Sequence, residues 1–102
     1  MQPYLLTPSA EDDLKDIARY TLKHWGKKQS LHYASHLETR FLEITDRTCF
    51  SHFFSERYPQ IQVTRCEHHY IFYLHPEGQL PCIIAVLHER MDWVARLKNR
   101  LD

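Results

Sequence analysis

The chain has 102 residues, 43% hydrophobic and 25% charged, and its thirteen basic and thirteen acidic side chains cancel. A chain of this length buries roughly 60–65% of its unfolded surface, enough for one core without disulfides, and residues 1–102 are read as a single domain. It holds no apolar run of bilayer-spanning length and no basic-then-apolar start, so a cytoplasmic protein with no membrane partner is expected, and two glycines are too few for a Gly-rich phosphate loop.

Tyr4-Leu5-Leu6 is a short apolar run, a first strand that stops at Thr7-Pro8-Ser9. Thr7 is placed to cap free helix N–H groups, and proline in the first turn has no donor to lose. Glu11, Asp12 and Asp13 then set negative charge where the helix dipole favours it. Ala10, Leu14, Ile17, Ala18, Thr21, Leu22 and Trp25 recur at three- and four-residue steps, predicting an amphipathic helix that ends at Gly26. Leu31, Ala34, Leu37, Phe41 and Ile44 form the stripe of a second helix. The short connection between them predicts an antiparallel hairpin.

Residues 49–60 have no clear period and are read as a loop that closes at Pro59. Ile61–Glu67 and Tyr70–Leu74 then read as strands, Pro76-Glu77-Gly78 as a turn, and Cys82–Leu87 as the returning strand. Met91–Leu97 reads as a short terminal helix. The predicted fold is α+β in the order β-α-α-β-β-β, with the hairpin on one face of a small, mostly antiparallel sheet.

Several residues carry chemistry worth weighing. His32 and His36 lie four apart on the second helix, the spacing of a two-histidine metal site, but no glutamate follows His32 and no third ligand is evident. They are read as a partner-facing surface, and no metal or cofactor is expected. Cys49, Cys66 and Cys82 are odd in number and widely spaced, which fits a reducing compartment and small buried side chains. Trp93 lies beyond the last strand, where it either covers the sheet or docks a partner. Arg90, Arg96, Lys98 and Arg100 make a basic C-terminal segment, read as solvated charge or, alternatively, as a local positive patch for an acidic partner or DNA.

Leu6-Thr7-Pro8-Ser9-Ala10-Glu11-Asp12-Asp13-Leu14-Lys15-Asp16-Ile17, His24-Trp25-Gly26, His69-Tyr70-Ile71-Phe72-Tyr73 and Val86-Leu87-His88-Glu89-Arg90-Met91-Asp92 occur in an order and spacing that resembles the ParE branch of the ParE/RelE toxin superfamily. These are the small toxins of toxin–antitoxin, or plasmid stabilisation, modules. Residues 49–60 depart from the family pattern in being aromatic and glycine-free, and Glu67-His68 stands where a glycine often lies. The resemblance implies a toxin that binds DNA gyrase, inhibits it and promotes DNA breaks, and that a ParD-like antitoxin neutralises. It implies contact with DNA only through gyrase or the antitoxin, and no catalytic residues. His32, His36, Arg40, Arg47, Arg90, Trp93 and Arg96 are then the candidate partner-binding residues. Two alternatives remain: a RelE-type ribosome-dependent endoribonuclease, for which His69, His88, Arg65 and Arg90 would supply acid, base and cations, and an inactive toxin relative.

Overall fold

A computed structural model of the chain describes residues 3–101; Met1, Gln2 and Asp102, which the domain reading included, lie outside the described residues. It is a mixed α+β structure, with β1 (Leu5–Leu6), α1 (Pro8–Asp46), β2 (His52–Ser55), β3 (Tyr58–Cys66), β4 (His69–Leu74), β5 (Cys82–His88) and α2 (Trp93–Leu101). The strands form one sheet in the order β1-β5-β4-β3-β2, with β1 parallel to β5 and the other pairs antiparallel.

Thr7 caps α1 as its sequence implies: its hydroxyl accepts the Ala10 N–H at 3.1 Å. The helical span is broken at Gly26, whose φ of 87° and ψ of 170° belong to a region essentially reserved for glycine. The two sides of the break meet, for the hydroxyls of Thr21 and Ser30 lie 2.8 Å apart. Nine residues of unbroken helix would separate them by about 13 Å, so the chain turns back at Gly26. Tyr33, Leu37, Phe41 and Ile44 from the second arm pack with Ala10 on Cys66, Ile71, Tyr73, Ile83 and Val86.

The region read as a loop is the main correction. Residues 52–55 form β2, and β3 begins at Tyr58, so the sheet has five strands where four were expected. The strand pattern is hidden because β2 is a short edge strand whose faces differ little in sequence. Phe54 packs edge-on against Phe72 at 5.5 Å while Phe53 beside it stays exposed. A two-residue turn at Glu56-Arg57 joins Ser55 to Tyr58, and the β2–β3 register shifts between Phe53 and Ser55. Pro59 enters the strand at that irregularity, where its missing N–H is tolerated.

The second correction concerns the other sheet face. Ile61, Val63, Phe72, Ile84, Ala85 and Leu87 form a separate apolar cluster there, closed by Leu97, Trp93 and Leu101 of α2. Both faces of the sheet are therefore covered, one by α1 and one by α2. Strand β5 serves both by alternation, and a bulge, where Phe72 pairs with Ala85 and Tyr73 with Ile83, leaves Ile84 between and sends both Ile84 and Ala85 to the α2 side.

That bulge explains two residues whose roles the sequence concealed. The Val86 N–H donates to Asp13 Oδ2 at 2.9 Å, and the Ile84 carbonyl accepts from Arg100 Nη1 at 3.0 Å. Arg100 in turn grips both Asp13 oxygens at 2.6 and 2.7 Å. The two side chains are only 12% and 17% exposed. Arg100, read as solvated charge, is instead a largely buried clamp joining the end of α2 to α1 through the bulge. Its i-to-partner separation of 87 residues is why no local pattern reveals it.

Candidate functional site

The first arm of α1, the β4–β5 end of the sheet and the approach to α2 enclose a cleft of about 500 Å³. Ile17, Tyr20 and Trp25 form its helical wall; His68, His69 and His88 form its floor; Arg90, Met91 and Arg96 stand on the far side. The histidines converge because antiparallel pairing sets His69 directly opposite His88. Their rings meet edge-on at 5.2 Å, and His68 stacks over His88 at 6.5 Å.

Hydrogen bonding assigns each histidine. His69 is buried, and its Nδ1 contacts the Tyr33 hydroxyl. The Tyr33 oxygen also accepts the His68 backbone N–H at 3.3 Å. Burial first, and then the neighbouring His88 and His68, lower the His69 pKa from 6.5 to about 4. Burial likewise pushes the Tyr33 phenol up to about 12. Both groups are neutral near pH 7, and together they act as a hydrogen-bonded pair under the cleft. His88 Nδ1 accepts the Arg90 N–H at 3.1 Å, and its carbonyl accepts the Trp93 indole N–H at 2.9 Å. Arg65 bonds Glu89 at 2.8 Å and the Glu67 carbonyl at 2.9 Å. The residues that RNA cleavage would need are thus close together, but Arg65 is tied to a carboxylate and His69 is sealed by Tyr33.

The partner-facing candidates do not form one surface. The rings of exposed His32 and half-buried His36 meet at a tilt with centroids 4.3 Å apart, and His36 Nδ1 lies 2.9 Å from Glu67 Oε1. Glu67 holds that position with φ at 56°, a left-handed conformation uncommon outside glycine. Arg40 pairs with Glu43 at 3.2 Å along its own helix. Arg47 ends α1 with φ at 58° and borders a separate hollow of about 600 Å³ with Cys49, Ser51 and Tyr73. Trp93 packs on Tyr70 and Phe72 at 4.4 and 5.7 Å, so it covers the sheet. Arg90 and Arg96 alone of these seven line the histidine cleft.

Sequence reasoning passed over Tyr33, read only as a helix residue, and the exposure of the first arm. Leu22 and Trp25, assigned to its inner stripe, are 53% and 46% exposed, Tyr20 is exposed too, and Leu31, assigned to the stripe of the second helix, is exposed as well. Tyr20 and Trp25 contact edge-on at 6.1 Å, and Tyr20 meets His24 at a tilt with centroids 4.3 Å apart. An aromatic patch of this kind on a small domain marks a binding surface. Among the described residues no group of three or more His, Cys, Asp or Glu is placed to hold a metal ion. No helix among them is long and apolar enough to cross a membrane.

Comparison with known proteins gives the geometry a family. Residues 4–93 match the family described as ParE toxin of type II toxin-antitoxin system, parDE. A protein of Escherichia coli named Toxin ParE is 41% identical over 101 residues, 99% of this chain and 98% of that relative. In fold, the chain is similar to a structure titled Chromosomal ParDE TA system from P. aeruginosa, with a TM-score of 0.67 at 14% identity. That likeness covers 85% of this chain and 98% of the other.

Proposed function

The chain belongs to the family of ParE toxins of type II toxin–antitoxin systems, and on that premise we propose that it binds and poisons DNA gyrase without chemistry of its own. A ParD-like antitoxin holds it inactive in the bacterial cytoplasm. The observation that carries the non-catalytic reading is the state of the cleft histidines. A general acid–base pair needs one group that gains and one that loses a proton near neutral pH. His69 is held neutral and bonded to Tyr33, His88 Nδ1 is occupied by a backbone N–H, and Arg65 is neutralised by Glu89. These groups support the sheet end.

The exposed Tyr20, Leu22 and Trp25 support an antitoxin that lies along the first arm and covers apolar surface. Binding there is expected to bury the Trp25 indole and shift its fluorescence to the blue.

The second reading, a RelE-type endoribonuclease, draws on the convergence of His68, His69 and His88 in one cleft. His88→Ala separates the two. Retained inhibition of gyrase by a folded His88→Ala chain supports the poison; loss of toxicity together with loss of messenger RNA cleavage in cells supports the nuclease.

A further inference from the structure

The charge of this chain is balanced overall but not along its length. Between residues 17 and 37 there is no aspartate or glutamate, while Arg19, Lys23, Lys27 and Lys28 all fall there. The rest of the chain therefore carries an acidic excess of four. Three of these cations, Lys23, Lys27 and Lys28, lie within six residues around the turn at Gly26, and all are exposed. The exposed Trp25 sits among them in sequence, with Tyr20 and His24 in contact on the preceding turn.

Most neighbouring acids already have partners. Asp13 pairs with Arg100, Asp16 with Arg19 and Glu89 with Arg65, Glu67 Oε1 contacts His36 Nδ1, and Asp92 accepts the Ala95 N–H at the start of α2. Among the described residues Lys23, Lys27, Lys28, Arg90 and Arg96 make no ion pair. Arg90 and Arg96 line the same cleft as Tyr20 and Trp25, together with the paired Asp13 and Asp16, and Lys23, Lys27 and Lys28 flank Trp25 in sequence. A row of unpaired, exposed cations interleaved with aromatic rings is the chemistry that meets a phosphate backbone.

We propose that the turn of α1, with Lys23, Lys27 and Lys28, and the opposing rim of Arg90 and Arg96 form a face that binds the backbone of duplex DNA. The inference rests on the gyrase reading for its setting: the face would grip the DNA segment that gyrase holds, adding a direct toxin–DNA contact to the toxin–gyrase contact. Binding is through phosphates and independent of base sequence, because the face is carried by cationic side chains.

The test uses the refolded full chain and a labelled 30-base-pair duplex of mixed sequence, followed by fluorescence anisotropy from low to moderate salt. Each phosphate neutralised contributes about 0.9 to the slope of log K against log salt. The triple variant Lys23→Gln/Lys27→Gln/Lys28→Gln is expected to lower that slope by about 3 and to weaken binding at least tenfold at the lowest salt. Its melting profile checks the fold. Arg90→Gln/Arg96→Gln probes the opposite rim independently, with an expected loss of about 2 in slope. In parallel, the same proteins are titrated into a gyrase supercoiling reaction, where both variants are expected to inhibit more weakly than the parent chain. Unchanged DNA affinity and slope in both folded variants overturns the face. So does weakened gyrase inhibition with unchanged DNA binding, which points to an acidic protein surface instead. A parent chain that leaves gyrase untouched defeats the functional reading, while the anisotropy still decides whether the face binds DNA.

Discussion

Replacing Asp13 by alanine removes more than one ion pair. Arg100 loses both charge-assisted bonds, at 2.6 and 2.7 Å, and keeps only the Ile84 carbonyl. The Val86 N–H at the bulge loses its acceptor at the same time. Breaking a buried pair by deleting one partner costs about 3–5 kcal/mol, because a desolvated charge is left behind. The pair is 12–17% exposed, and arginine is long enough to swing toward water, which places the expected loss near the lower limit, about 3 kcal/mol. Native domains hold roughly 5–15 kcal/mol in all, so the variant should fold but melt about 12–20 °C lower. Urea unfolding of Asp13→Ala, Arg100→Met and the double variant measures the effect and the coupling. The double variant should be no worse than the more damaging single one, since it removes both charges. Asp16→Ala is the control: Asp16 and Arg19 are about 70% exposed, and their pair should contribute less than 1 kcal/mol. If Asp13→Ala cost no more than Asp16→Ala, the clamp would be irrelevant and the link between α2 and the bulge would have to be sought elsewhere.

The buried His69 sets a pH dependence. Its folded pKa of about 4 lies below the ordinary 6.5, so between these values the unfolded chain binds a proton that the folded chain refuses. The stability it secures is complete above pH 6.5 and is lost as pH falls toward 4, by at most about 3 kcal/mol. Urea midpoints at pH 7.0, 5.5 and 4.5 should fall in that order, and His69→Gln should flatten the trend; a parallel trend in the variant would contradict the assignment. Gly26→Ala places a side chain at φ 87° with no atom within 4 Å of its Cβ, so only backbone strain is at issue, about 2 kcal/mol by thermal melting. Expressed alone, the chain should be toxic or poorly soluble and should recover when its antitoxin is made with it; equal growth and yield in both cases would oppose the toxin assignment.

How far the fold could be read varies with how local its signals are. Thr7-Pro8 and Gly26 carry their conformational meaning within a few residues, and each stands where its chemistry requires. The strands β4 and β5 are written in apolar runs that two covered faces demand. Strand β2 is not legible, because an edge strand of four residues needs no alternation and Pro59 points to a loop. The terminal basic segment divides for the same reason: Arg96 stays free, whereas Arg100 finds Asp13 only after the whole sheet is assembled. The histidine cleft is half legible. His69 and His88 stand out in sequence, but their pairing across β4–β5, and the Tyr33 hydroxyl that fixes the first of them, depend on register. Trp25 misleads in the opposite direction, since its helical spacing suits a core and its place beyond the sheet leaves it in solvent.

The central claim is that this toxin poisons gyrase by binding it. The most direct measurement is a supercoiling and DNA-cleavage reaction with purified gyrase and the refolded chain, run beside His88→Ala. The account predicts dose-dependent loss of supercoiling, accumulation of cleaved DNA, and the same behaviour from the histidine variant. Undiminished supercoiling with no cleaved DNA, from a chain whose melting profile shows it folded, would contradict it.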